Sequence, residues 1–215
     1  MKKGLFITVE GGDGSGKSTQ LANMKEYMAS RGIEAVFTRE PGGTGIGEQI
    51  REIILSTGNL AMCDMTEVLL YAAARAQLVR EVIRPQLAAG KTIVCDRYLD
   101  SSLAYQGWGR GLGRETVEAI NRFAVEDVIP DLTVFMDIAP HEARNRMAKR
   151  GEGPDRLESA GNAFHDRVYE GYLAILRAEE EQGRSRIVRL DATRDAETVK
   201  QDLFAVLDRR FASWA

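Results

Sequence analysis

Leu5-Phe6-Ile7-Thr8-Val9-Glu10 runs straight into Gly11-Gly12-Asp13-Gly14-Ser15-Gly16-Lys17-Ser18. The first six residues read as a buried strand, a short apolar run closed by an acid. The next eight fit G-x-x-x-x-G-K-[ST] at every fixed position, and Lys17 to Arg31 reads as a helix stopped at Gly32. Strand, glycine-rich turn and helix, in that order, are the context this motif requires. Glycines let backbone N–H groups turn inward around phosphate oxygens, and the helix N-terminus adds partial positive charge. Lys17 supplies a point charge for the β- and γ-phosphates, and the Ser18 hydroxyl can bind Mg²⁺. The competing reading, a glycine-rich connection without a ligand, explains neither the lysine nor the hydroxyl. The loop from Gly11 to Ser18 is therefore expected to bind the phosphates of a nucleotide such as ATP.

Outward from that loop, short apolar runs alternate with longer helical patterns. Ala35 to Arg39, Thr92 to Cys95, Leu132 to Ile138 and Ile187 to Leu190 read as four further strands. Ile46 to Leu55, Asp64 to Ala89 (bent or broken near Pro85) and Ala196 to Arg210 read as helices. Apolar strands separated by helices predict an α/β fold, a parallel sheet with helices on both faces. The 215 residues are expected to form one domain, 1–215. Two glycine-rich segments, 41–45 and 151–161, read as functional loops, the second as part of a short lid at about 144–160.

Composition excludes several classes. Net charge is −3, with 44% hydrophobic and 28% charged residues. No whole-protein basic field is present to hold nucleic acid. Met1-Lys2-Lys3 faintly resembles the start of a secretion signal, but Leu5 to Val9 is too short for its apolar core. No run reaches membrane-spanning length, so a cytoplasmic protein is expected. Cys63 and Cys95 read as free thiols, and His141 and His165 as structural residues.

A second anionic site is suggested at the carboxyl ends of the strands, where ligands sit in open α/β sheets. Asp96-Arg97-Tyr98 ends the third strand. Asp96 is placed to hold the Mg²⁺ shell, directly or through water, with Arg97 facing phosphates; a salt bridge between the two is the alternative. Thr38-Arg39-Glu40-Pro41-Gly42-Gly43-Thr44 brings a second guanidinium to the same edge. Tyr71 and Arg75 share a helix face, one able to stack on a base and the other to bond its edge; core tyrosine and surface cation are the competing readings. Asp13 either points outward to a sugar hydroxyl or a Mg²⁺-bound water, or is a solvated loop acid. Arg144, Arg146, Lys149, Arg150 and Arg156 surround the second glycine-rich loop. They read either as a solvated face or as a lid that closes over a transferring phosphoryl group.

Taken together, these runs fall in the order and spacing of a known family. Glu10 to Ser18, Thr38 to Thr44, the Tyr71–Arg75 helix with Gln77-Leu78-Val79, Asp96-Arg97-Tyr98, Ala104-Tyr105-Gln106-Gly107 and Pro130-Asp131-Leu132-Thr133 make the whole chain resemble the bacterial thymidylate kinases, members of the P-loop nucleoside monophosphate kinases. The resemblance implies a P-loop NTPase fold with a five-stranded parallel sheet, a homodimer, Mg²⁺ with ATP as donor, and dTMP as acceptor. It places Asp13 at the acceptor sugar, and Arg39 and Arg97 near the acceptor phosphate. Tyr71 falls where a ring stacks on thymine, and Arg75 at the base edge. Pro41, Ser102 and Gln106 also fall at substrate positions. Tyr105 lies against the deoxyribose, where its ring excludes a 2′-hydroxyl. Gly14 occupies a spot where other members carry arginine, which implies that catalytic arginines come from the lid, among Arg146, Arg150 and Arg156.

The expected reaction is ATP + dTMP → ADP + dTDP by direct in-line transfer. Two rivals were weighed against it. A deoxynucleoside kinase would need a carboxylate to take a hydroxyl proton and less cationic charge at the acceptor. A regulatory nucleotide-binding module of the GTPase type should carry N-K-x-D and D-x-x-G motifs, and the sequence carries neither.

Overall fold

Alternation within each strand decides what covers the sheet. On the first strand, β1 (Phe6–Glu10), Ile7 and Val9 are buried in one apolar cluster and Phe6 in another. On β4 (Leu132–Asp137), Val134 and Met136 join the first cluster while Phe135 joins a third. Side chains of period two that are apolar at every position need cover on both faces. The computed structural model, which describes residues 4–147 and 155–214, supplies it.

Between and after these strands the chain forms α1 (Lys17–Ser30), β2 (Ala35–Arg39), α2 (Gly45–Leu55), α3 (Asp64–Leu78), α4 (Arg84–Ala88), β3 (Thr92–Asp96), α5 (Leu99–Ser102), α6 (Arg114–Val125), α7 (Pro140–Met147), α8 (Asn162–Glu181), β5 (Ile187–Asp191) and α9 (Ala196–Trp214). The five strands are parallel and lie in the order β2-β3-β1-β4-β5. Helices α1 and α9 contribute Met24, Tyr27, Leu203 and Leu207 to the cluster on one face. Helices α3, α6 and α8 contribute to the clusters on the other. The order turns back on itself at β1, so the loops after β1 and β3 open into one crevice at the carboxyl edge.

Two stretches of helix widen into π turns. The run from Asp64 to Ala89 breaks near Pro85, as its sequence suggests: after Leu78 it widens into a π turn, Val79–Ile83, before resuming as α4. Pro85 has no N–H to give, and its ring crowds the carbonyl four residues earlier, so the backbone loosens in the turn before it. The second widening, Leu103–Gly109, carries the Tyr105-Gln106-Gly107 run. It packs tightly on α8, because a Cβ at Gly109 would lie 2.7 Å from the Phe164 ring and one at Gly171 would lie 2.9 Å from Trp108 Cβ. Trp108 is thus a packing residue against a helix that offers it a glycine. Among the described residues no helix is long and apolar enough to cross a membrane.

Candidate active site

The phosphate-binding loop is built as its sequence demands. Gly16 caps α1 in the left-handed region with no side chain bonding the first helical N–H groups, which leaves them for an anion. Lys17 Nζ lies over the loop, donating to the carbonyls of Gly11 at 3.0 Å and Gly12 at 2.9 Å. Burial first, and Arg97 after it, push the Lys17 ammonium down to about 8. Gly14 has φ +78°, and a Cβ there would meet the Ala143 carbonyl oxygen at 2.5 Å and Met147 Cγ at 2.9 Å. Helix α7 is therefore pressed against the loop at the one position where a side chain would separate them.

Beside the loop, Arg97 follows β3 with φ +67°, an uncommon conformation for a residue with a side chain. Its Nη2 donates to Asp13 Oδ1 at 2.5 Å, and its Nη1 to the Gly11 carbonyl at 2.9 Å. The salt bridge thus runs from Arg97 to Asp13 rather than to Asp96. Burial works against the Asp13 charge, yet Arg97 and Lys17 hold its carboxyl down to about 2. Asp96 Oδ1 is buried and has no hydrogen-bond partner among the described residues. It lines the cavity that also holds Ser18, Lys17, Arg39 and Arg97. One hard carboxylate oxygen and one hydroxyl suit Mg²⁺, which takes its remaining ligands from water and phosphate.

A second cavity opens on the far side of Arg97, walled by Asp13, Pro41, Tyr71, Arg75, Ser102, Tyr105 and Gln106. Asp13, Glu40, Arg51 and Arg97 line both cavities. The Tyr105 hydroxyl donates to Asp13 Oδ2 at 3.3 Å, and the Arg97 guanidinium lies over the Tyr105 ring at 5.0 Å. Arg75 is buried with all its donors engaged: Glu40, Ser102, Asn121 and the Tyr98 carbonyl take them. Gln106 gives its amide N–H to Glu67 at 2.9 Å, which leaves Oε1 buried and without a partner. A polar cavity at the glycine-rich loop and a mixed aromatic and polar cavity thus meet at two guanidiniums, Arg51 and Arg97, and two carboxylates, Asp13 and Glu40.

The thymidylate kinase family model matches residues 9–203 of this chain. The chain belongs to the thymidylate kinase family. It is 46% identical to the thymidylate kinase of Shouchella clausii over 214 residues, 99% of each chain. The thymidylate kinase of Finegoldia magna is 48% identical over 206 residues, 96% of this chain and 98% of its own. That of Deinococcus radiodurans is 45% identical over 210 residues, 98% of this chain and 99% of its own.

For this thymidylate kinase family member, the structure gathers Asp13 to Ser18, Arg39, Asp96 and Arg97 around one cavity, and Pro41, Tyr71, Arg75, Ser102, Tyr105 and Gln106 around the other, while Gly11 and Gly12 meet Lys17 through their carbonyls. Arg39 is exposed and paired with Glu48 at 2.8 Å. The expected lid arginines fare differently. Arg150 lies outside the described residues. Arg146, at the end of α7, donates to the Thr193 carbonyl at 3.1 Å. Arg156 corrects the sequence expectation: it is buried, with Nη2 on Glu67 at 2.7 Å and Nε on the Ile54 carbonyl at 2.6 Å. A guanidinium held by a buried carboxylate is a strut of the acceptor wall rather than a free charge for the phosphate pocket. Arg51 was not singled out by sequence. It stands on α2, one turn beyond Gly47, and donates to the Pro41 carbonyl at 2.9 Å while facing both cavities. Nothing in its spacing separates it from an ordinary surface arginine.

Proposed function

We propose that this protein phosphorylates dTMP with ATP, giving dTDP by direct in-line transfer, with the phosphate loop as donor site and the Tyr71–Gln106 cavity as acceptor site. The observation that carries the reading is the pair of cavities sharing Arg97 and Asp13. The nucleotide phosphates lie along the α1 N-terminus and Lys17. Ser18 and Asp96 would hold Mg²⁺, directly or through water, and the ion would supply neutralising charge to the phosphates. Arg97, with Arg39, takes the acceptor phosphate. Its oxygen is already nucleophilic, so positioning and charge stabilisation suffice without a strong base. The segment at about 144–160 acts as the lid.

In the acceptor cavity, Tyr71 stacks on the thymine ring, and Ser102 and Gln106 meet its edge, while Arg75, expected there from the sequence, has its donors taken by protein groups and holds Ser102 in place. The free Gln106 Oε1 is an acceptor suited to a ring N–H. The rival acceptor, a hydroxyl, has one observation in its favour: burial pushes the Glu40 carboxyl up to about 7 despite Arg75. A panel of acceptors decides. With ATP as donor, kcat/KM for dTMP is expected to exceed that for thymidine by orders of magnitude. Equal values for the two would establish the hydroxyl reading instead. Tyr105 carries a further expectation. Its ring is fixed by edge contacts to Phe164 and Tyr172 and by its bond to Asp13. If it crowds the 2′ position, Tyr105→Ala narrows the dTMP to ribonucleotide ratio of kcat/KM by about tenfold, the scale of one steric contact. An unchanged ratio would leave the ring a packing role alone.

The protein also works as a homodimer in this proposal, in the cytoplasm where its nucleotide pool lies. Helices α2, α3 and α6 pack side by side and leave Ile46, Ile53, Met65, Leu69 and Phe123 exposed, Phe123 at 83%. A run of large apolar side chains on one helical layer is the surface a second copy would cover. Light scattering is expected to give twice the chain mass, and Phe123→Glu to shift it toward the monomer. A wild-type monomer at micromolar concentration would refute this surface.

A further inference from the structure

Glu10, the last residue of β1, is fully buried and borders neither cavity. Its carboxylate nevertheless stands at the centre of the groups that hold Arg97. Oε1 accepts from the Tyr98 N–H at 2.8 Å, the peptide just after the left-handed Arg97. Oε2 accepts from the Ser101 hydroxyl at 2.5 Å and the Tyr172 hydroxyl at 3.0 Å. Those two hydroxyls are in turn within reach of Arg97 Nη1, at 3.3 Å for Ser101 and 3.4 Å for Tyr172.

Hydrogen accounting gives this arrangement a direction. A guanidinium only donates, so each hydroxyl can serve Arg97 only through a lone pair. That requires both hydroxyl protons to point elsewhere. The Glu10 carboxylate draws them away, both directly or one of them through the 2.8 Å bond between the two hydroxyls. The neighbouring acid, Asp100, is neutralised by Arg186 at 2.6 and 3.1 Å, which leaves Glu10 as the acceptor facing Ser101 and Tyr172. The same carboxylate ties down the peptide that a positive φ would otherwise let relax. We infer that Glu10 is a positioning residue of the transfer reaction, fixing both the backbone and the guanidinium of Arg97 at the junction of the two cavities without touching substrate. The inference rests on the reading of Arg97 as the residue at the acceptor phosphate.

Glu10→Gln tests it, since it keeps the volume and reverses part of the hydrogen bonding. With its amide N–H₂ toward Ser101 and Tyr172, at least one hydroxyl proton is turned on Arg97. With it toward Tyr98, N–H meets N–H. Turnover is expected to fall about 10- to 100-fold, up to the loss of one charge-stabilising donor, while KM for ATP stays within about threefold and the melting transition remains cooperative. The deciding measurement is a cycle with Arg97→Lys. A lysine cannot use both hydroxyls and the Gly11 carbonyl in the same fork. In that background Glu10→Gln should therefore cost less than about threefold in kcat, or in dTMP affinity by calorimetry if turnover is too slow. An equal cost in both backgrounds, or normal turnover in Glu10→Gln alone, overturns the inference. Should Glu10→Gln fail to fold, Tyr172→Phe runs the same cycle: it deletes one intervening hydroxyl and keeps the ring stacked on Phe135. Near-normal activity in Arg97→Lys itself would overturn the reading of Arg97, and the Glu10 inference with it.

Discussion

Lys17→Ala is expected to fold like the parent protein and to transfer phosphoryl roughly 10³-fold more slowly, or worse. The two halves of that result have separate causes. Among the described residues the ammonium's hydrogen bonds go to the Gly11 and Gly12 carbonyls of its own loop, so its removal breaks no side-chain hydrogen bond. Asp13 keeps its partner in Arg97. The melting temperature should move by a few degrees at most. Transfer is different, because charge accumulates on the phosphoryl oxygens at the transition state and Gly14 offers no cation. Nor can position 14 be given one, since a side chain there would collide with α7. With Lys17 gone, the loop retains backbone N–H groups and the helix end, which bind a polyphosphate but do not supply a full charge. The defect should therefore fall mainly on kcat, with a smaller rise in KM for ATP. Near-normal kcat in a folded Lys17→Ala protein would refute the donor site as described.

What the sequence made legible was what short-range chemistry dictates. A strand of uninterrupted apolar residues, glycines placed where N–H groups must turn inward, and a lysine and hydroxyl at fixed offsets can be read from adjacent positions. The five strands, their parallel sense and the loop follow from such local statements; the order of the strands does not. The features that escaped are decided by partners far away in the chain. Arg156 looks like a member of a solvated basic run, and only the fold brings it to Glu67, 89 residues earlier. Glu10 looks like the end of a strand, and Tyr172, which bonds it, lies 162 residues on. Arg51 faces the two cavities only because the fold brings α2 to the Pro41 carbonyl. A charge run and a buried network have the same composition, and burial alone tells them apart.

The lid gives the second large expectation. The transferring group needs positive charge beyond Lys17, and the sequence offered Arg146, Arg150 and Arg156 for it. The structure separates two of them, Arg156 and Arg146, by what each would lose. Arg156→Ala removes a guanidinium from the buried Glu67 carboxylate, which keeps Arg110 at 2.9 Å and Gln106 at 2.9 Å. The expected loss is about 2 kcal/mol of stability, seen as a lower melting temperature, from a buried charge with fewer donors. Because Glu67 also orients Gln106, KM for dTMP should rise with it. Arg146→Ala gives up a single bond to the Thr193 carbonyl at the surface, worth about 0.5 kcal/mol. Its fold, and that of Arg150→Ala, should hold. One of these two is expected to lose kcat by about 10³, the scale of a supplied arginine, with KM for dTMP nearly unchanged. Three single alanine variants, each measured for melting temperature, kcat and KM, separate the roles. If Arg156→Ala keeps its melting temperature and loses only kcat, the arginine leaves Glu67 in the working complex and the strut assignment fails. If Arg146→Ala and Arg150→Ala both turn over normally, the lid adds no charge to the transition state, and Arg97 with Arg39 must carry it.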